Sequence, residues 1–199
     1  MAARGDPAKF IRTFIAIELT PEVQREMEII QDRLNLKKEP GVKPVKPEST
    51  HLTLRFLGPT PPDKVEEIRA AIQLAAENIR PFALELKGVG CFPNNRTPRV
   101  VWVGLAGEET LMRLQSRIED SLAELGIRRE TRPFSAHLTL ARIRDDATPA
   151  SRRRVGEAVE NTVYEPDFKF PVDHVSLIKS ILKPSGPEYS VLHRIDLAP

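Results

Sequence analysis

The sequence predicts an α+β protein: bilobal, with two antiparallel-rich sheets related by a pseudo-two-fold, helices on the outside and a cleft between the lobes. Three observations carry that expectation. Apolar runs read strand, helix, strand, helix twice along the 199 residues. The tetrapeptide His-Leu-Thr-Leu stands at 51–54 and again at 137–140, each time in the strand that follows one helix and precedes the next. The copies start 86 residues apart, a little under half the chain, as an internal duplication requires, so 1–199 is read as one bilobal domain. At average residue usage such a tetrapeptide recurs by chance on the order of 10⁻⁵ times per position.

The elements follow in order. FIRTFIAIEL (10–19) is β-branched and aromatic and stops at Thr20-Pro21, a helix cap with proline in the first turn. The helix carries Val23, Met27, Ile30 and Leu34 on one stripe. KKEPGVKPVKPEST (37–50) is a loop or short edge segment, rich in proline and lysine, that leads into the first His-Leu-Thr-Leu strand. Proline-rich turn chemistry from Gly58 then opens a helix striped by Val65, Ile68, Ile72, Ala75 and Ile79. FALELKGV (82–89) and RVVWVGL (99–105) are strands joined by the turn-like GCFPNNRTP. A helix with Leu111, Leu114, Ile118, Leu122 and Leu125 closes at Gly126. The second His-Leu-Thr-Leu strand, a helix from about Thr148 to Asn161, and three strand-like runs (167–172, 174–182 and 188–196) complete the chain.

Composition excludes more than it selects. With 40% hydrophobic and 29% charged residues the chain is an ordinary soluble one, which argues against disorder. A net charge of +2 neither demands nor forbids an anionic partner. Cys91 is alone, so no internal disulfide forms, and it is read as a packed thiol. No apolar run approaches the roughly 18 residues of a membrane span, and the opening MAARGDPAKF lacks a secretory segment. A cytoplasmic protein without a membrane partner is expected.

Side chains alternate along a strand, so His51 and Thr53 share one face while Leu52 and Leu54 take the other, and likewise His137 and Thr139 oppose Leu138 and Leu140. Each motif mounts an imidazole and a hydroxyl on a core-anchored strand. Two such strands facing across a pseudo-dyad suit an in-line phosphoester displacement. One neutral histidine takes the nucleophile's proton and one protonated histidine supplies the leaving oxygen, each role worth roughly 10²–10⁴-fold. An unperturbed pKa near roughly 6.5 lets both forms exist at neutral pH. The threonine hydroxyls can donate to non-bridging oxygens. A zinc site is the rival reading, but no cysteine cluster or third ligand accompanies the pair, and no metal or other cofactor is expected.

Paired H-x-T-x motifs resemble those of the 2H phosphoesterase superfamily, and their surroundings narrow the resemblance to the RNA 2′,3′-cyclic phosphodiesterases, also called 2′-5′ RNA ligases. It covers nearly the whole chain: RTFIAIEL, THLTLRFLG, FALELKGVGCFPNNRTPRVVWVGL, RPFSAHLTLARIR and SLIKSILKPSGPEYSVL. The resemblance implies metal-independent hydrolysis of nucleoside or RNA 2′,3′-cyclic phosphates to 2′-phosphates, with reversible 2′-5′ joining of RNA in some members. It carries His51, Thr53, His137 and Thr139 to the catalytic positions, with His51 as general acid towards the 3′ oxygen and His137 as general base for water. Ser135 and Ala136 depart from the basic residue and proline that often precede the second histidine in the family.

Substrate-binding candidates are Arg132 as a phosphate-binding guanidinium, Phe134 as a flat face for a base, and Arg55. Strict alternation places Arg55 on the His51 face and Arg142 on the opposite one. His174 and His193 are read as ordinary satisfied residues, and Arg152-Arg153-Arg154 as a solvated helix face. The expected partners are RNA ends or nucleoside 2′,3′-cyclic phosphates, met by a monomer. An RNA- or nucleotide-binding module and a 2′-5′ oligonucleotide phosphodiesterase are the alternatives.

Overall fold

The structure, a computed structural model, describes residues 10–165, 168–184 and 186–198. Residues 1–9, which bear on the secretory reading, and Asp167, the first residue of an expected strand, lie outside the described residues. The elements run β1 (Ile11–Glu18), α1 (Pro21–Arg33), β2 (Val42–Pro44), β3 (His51–Thr60), α2 (Val65–Ala76), β4 (Phe82–Phe92), β5 (Val100–Ala106), α3 (Glu109–Glu124), β6 (His137–Ile143), α4 (Pro149–Glu160), β7 (Lys169–Val172), β8 (His174–Lys183) and β9 (Gly186–Asp196).

Local chemistry sets the helix ends. Thr20 and Thr148 cap α1 and α4 by accepting from Val23 N and Ser151 N, and in both a proline fills the first turn, where its missing N–H costs nothing. Gly126, at φ +77°, turns the chain out of α3 through a conformation that a side chain would strain. Leu125, expected on the apolar stripe, lies beyond the helix and is exposed, whereas Ile79 stays buried three residues past the end of α2.

Two antiparallel sheets result, ordered β3-β1-β8-β9 and β2-β6-β5-β4-β7. Matched place by place, β3 corresponds to β6, β1 to β5, β8 to β4 and β9 to β7, with the short β2 added outside β6. Both His-Leu-Thr-Leu strands therefore hold the same place in their sheets. Leu52, Leu54, Leu138 and Leu140 are all buried in one core with Val23, Met27, Ile72 and Ile118 from the helices. Full burial of such a side chain is worth roughly 1.5–3 kcal/mol over exposure, so turning the leucine faces to the helices fixes where the histidine faces point.

Two strands are longer than the sequence implies. β3 continues through Gly58 and Pro59 to Thr60, because an edge strand tolerates a proline, and Thr60 Oγ1 meets Thr13 Oγ1 at 2.6 Å on β1. β4 continues through Gly90, Cys91 and Phe92, paired with β5, so the turn begins only at Pro93. Cys91 is buried, and burial pushes its thiol up to about 11, as befits packing rather than nucleophilic chemistry.

Candidate active-site cleft

Both motif strands break step at the same letter. β1 pairs Ala16 with Thr53 and Ile15 with Arg55, leaving Leu54 as an extra residue in β3. β5 pairs Trp102 with Thr139 and Val101 with Ala141, leaving Leu140 as the extra residue in β6. A bulge of this kind reverses the alternation of everything after it. His51 and Thr53, and His137 and Thr139, precede the bulges and stand half-buried on the faces turned from the helices. After the bulges, Arg55 falls beside fully buried Ile15 on the core side, and Phe56 comes to the histidine face opposite Phe14. In β6, Ala141 goes into the core while exposed Arg142 joins His137 and Thr139.

Each histidine is set among rings. His51 lies edge-on to Tyr189 at 5.0 Å and to Phe14 at 5.7 Å between centroids. His137 meets Phe92 at 4.9 Å and Trp102 at 6.5 Å, and Trp102 itself lies so close over Gly90 that a Cβ there would collide with the indole. Ser135 O sits 2.8 Å from His137 Nδ1. A carbonyl oxygen only accepts, so Nδ1 carries the hydrogen, and the neutral ring presents its lone pair at Nε2. Burial lowers the pKa of His51, and the negative charge of Glu18, its cross-strand partner on β1, opposes the fall. Glu18 is held in turn, accepting from Ser176 Oγ at 2.6 Å and lying 3.4 Å from His174 Nε2, while His174 Nδ1 is 2.5 Å from Asp173 Oδ1.

Tyr189, beside His51, is within electrostatic reach of the other sheet. Burial raises its pKa, and the charges of Arg142, from the other sheet, and Arg12 oppose the rise. β3 and β6 also approach within 8 Å at their Cα atoms.

The structure redistributes the remaining candidates. Arg55 does not face the cleft: its side chain is 9% exposed, with Nε 3.3 Å from Glu119 and Nη1 3.8 Å from Glu130, and it donates to the carbonyl of Arg128. The bulge at Leu54 is the reason. Phe134 packs against the core and is only partly buried, so one part of its ring stays accessible. Arg132 is 87% exposed in the loop before β6, with Nε 3.6 Å from Glu130. Arg152 is spent on the carbonyls of Pro98 and Arg144, and Arg154 pairs with Glu39 through both Nε and Nη2. His193 Nε2 meets Glu66 at 3.0 Å, as a satisfied surface histidine does. Sequence reasoning missed Glu18, Arg142, Tyr189 and Phe56. Only the charge five residues after His137 could have flagged one of them, and strict alternation pointed it the wrong way.

Among the described residues, no three or more His, Cys, Asp or Glu side chains are grouped to hold a metal ion, and no helix is long and apolar enough to cross a membrane.

Residues 19–183 match the model of the 2′-5′ RNA ligase superfamily. An RNA 2′,3′-cyclic phosphodiesterase of Archaeoglobus fulgidus is 34% identical, over 92% of this chain and 98% of that protein. One of the same name from Thermus thermophilus is also 34% identical, over 94% and 90%. Among solved structures, TT0787 of Thermus thermophilus superposes with a TM-score of 0.78 at 32% identity, covering 94% of this chain and 98% of that one. Escherichia coli LigT complexed with 3′-AMP superposes at 0.70 and 27% identity, covering 96% and 99%.

Proposed function

The chain belongs to the 2′-5′ RNA ligase superfamily and is a 2H phosphoesterase, a phosphoric diester hydrolase; from that premise we propose that it opens RNA 2′,3′-cyclic phosphate ends to 2′-phosphates without a metal. Its relatives named as RNA 2′,3′-cyclic phosphodiesterases support the substrate class. One observation carries the mechanism: two imidazole–hydroxyl pairs stand at the same place on equivalent strands, and those strands approach within 8 Å at their Cα atoms.

In this reading His137 Nε2 removes a proton from water as the water oxygen attacks phosphorus. The bond from phosphorus to O3′ breaks in line, and His51 gives its proton to O3′, leaving the phosphate on O2′. The tautomer that Ser135 O imposes on His137 supports the base role. Thr53 and Thr139 donate to the non-bridging oxygens as charge moves onto them. Arg142 adds a cation on the same face, and Arg132 is a further phosphate contact from the loop. Replacing water by the 5′-hydroxyl of a second RNA gives a 2′-5′ linkage through the same transfers, and this accounts for a reversible ligase activity.

Turnover of a nucleoside 2′,3′-cyclic phosphate in excess EDTA, with the product identified by chromatography, tests the proposal. A 2′-phosphate is expected. A 3′-phosphate would reverse the regiochemistry, EDTA-sensitive turnover would bring in a metal, and binding without turnover would leave a nucleotide-binding module.

A further inference from the structure

The bulge at Leu54 has a second effect beyond removing Arg55 from the cleft. Arg55, buried against Glu119, reaches under β3 and holds the Arg128 carbonyl and Glu130 of the loop between α3 and β6. Phe56, on the opposite side of the strand, is left 68% exposed. Together they shape a cavity of about 330 Å³ lined by Arg55, Phe56, Arg128, Arg129, Glu130 and Thr131. Glu130 is neutralised there by Arg55 and Arg132 and accepts from the Thr131 and Arg132 N–H groups. Arg129 pairs with Asp120, whereas Arg128 has no ion-pair partner among the described residues. The cavity thus has one guanidinium without an ion-pair partner among the described residues, one exposed aromatic face and a charge-balanced floor.

It also lies close to His51. The Phe56 ring is 6.0 Å from Phe14, which is 5.7 Å from His51, so Phe56 lies within about 12 Å of the histidine. An aromatic face beside a free cation is the combination that holds a single-stranded nucleotide, by base stacking and phosphate pairing. When a terminal cyclic phosphate occupies the cleft, the rest of an RNA chain extends only in the 5′ direction from it.

We propose that the cavity between β3 and the α3–β6 loop is a subsite for the penultimate nucleotide of an RNA end, whose base stacks on Phe56 and whose 3′ phosphodiester, the link to the terminal nucleotide, pairs with Arg128. This rests on the cyclic-phosphate reading above and gives the enzyme a preference for oligoribonucleotides over mononucleotides.

The test compares kcat/KM for adenosine 2′,3′-cyclic phosphate and for the dinucleotide ApA ending in the same cyclic phosphate. The wild type should favour the dinucleotide by about tenfold or more, the order of one base stack, and the preference should shrink with added salt as a phosphate contact requires. Phe56→Ala and Arg128→Glu should each lower the dinucleotide-to-mononucleotide ratio by about tenfold, while Phe56→Trp keeps it. Both side chains point to solvent, so the fold is not at risk. Equal kcat/KM for the two substrates in the wild type, or ratios untouched by both substitutions, overturns the subsite. Should neither substrate turn over, the phosphodiesterase reading fails instead. Fluorescence anisotropy of a 5′-labelled ApA 2′-phosphate then still reads the subsite: unchanged affinity in Arg128→Glu rejects it.

Discussion

His137 and His51 carry the same motif but meet different surroundings, and on the proposed mechanism those surroundings fit different work. A carbonyl at 2.8 Å holds His137 with its Nε2 lone pair free, as a base requires. His51 must hold a proton to act as acid, yet burial lowers its pKa and only Glu18 opposes the shift. In a kcat/KM profile the high-pH limb then reports loss of the proton from His51. With the anion removed, Glu18→Gln should move the high-pH limb to still lower pH, costing more activity at pH 8 than at pH 6, while Glu18→Asp keeps the charge and most of the effect. A limb that stays in place in Glu18→Gln would show that Glu18 is not the opposing charge. His51→Ala and His137→Ala should each lower kcat by at least roughly 10²-fold, since each deletes one proton transfer, with circular dichroism unchanged. Near-normal turnover in either variant rules out the two-histidine mechanism. The two histidines and two threonines stand out as candidates in the sequence because the motif repeats, and the structure puts each pair on one strand face. Glu18, Ser176 and His174 do not stand out, since they come from strands that meet only in the folded sheet.

At the scale of the element, the decisive feature is the extra leucine at the fourth letter of each motif, Leu54 and Leu140. A period of two, read from His51 onward, puts Arg55 in the cleft and Arg142 in the core, and the observed sheets place each on the other side. Nothing in the letters of HLTLRF or HLTLAR marks a bulge, because it is imposed by the registers of β1 and β5. The starts of α1 and α4, by contrast, were legible almost to the residue, because a threonine cap and a following proline depend on near neighbours alone. The bulge in β6 is held by the residue that follows β2 and by α1: the Leu140 carbonyl accepts from Val45 N at 3.0 Å and from Gln31 Nε2 at 2.9 Å, and Gln31 also donates to Val45 O. Gln31, 1% exposed, is thus a buried amide that ties α1 to β6. Gln31→Leu leaves the Val45 carbonyl without its side-chain donor and should lower stability by about 1–3 kcal/mol in urea denaturation. A change below roughly 0.5 kcal/mol, the level of ordinary surface substitutions, would mean that the bulge does not depend on this amide.

Across the whole molecule, the duplication that organises the sequence does not divide the fold at the middle of the chain. The sheet bearing His51 takes β1 and β3 from the start and β8 and β9 from the end, with the other sheet's strands from β4 to β7 threaded between them. Neither half of the chain can complete that sheet. The leucine faces of both motif strands, moreover, share one apolar core with helices from both repeats, and α2 packs on α3. Exposing one sheet therefore strips buried surface from the other, and this is the physical condition for a single cooperative transition rather than two. The chain supplies its own probe, because its one tryptophan, Trp102, sits in the sheet that bears His137. Urea unfolding followed by Trp102 fluorescence should coincide with unfolding followed by far-ultraviolet circular dichroism, which averages over both sheets, with the same midpoint and slope. Separated curves would mean that the lobe bearing His51 opens on its own, and the cleft would then be a joint between two independently stable bodies. Coincident curves fit a cleft whose two imidazoles keep their places because the same core sits behind both.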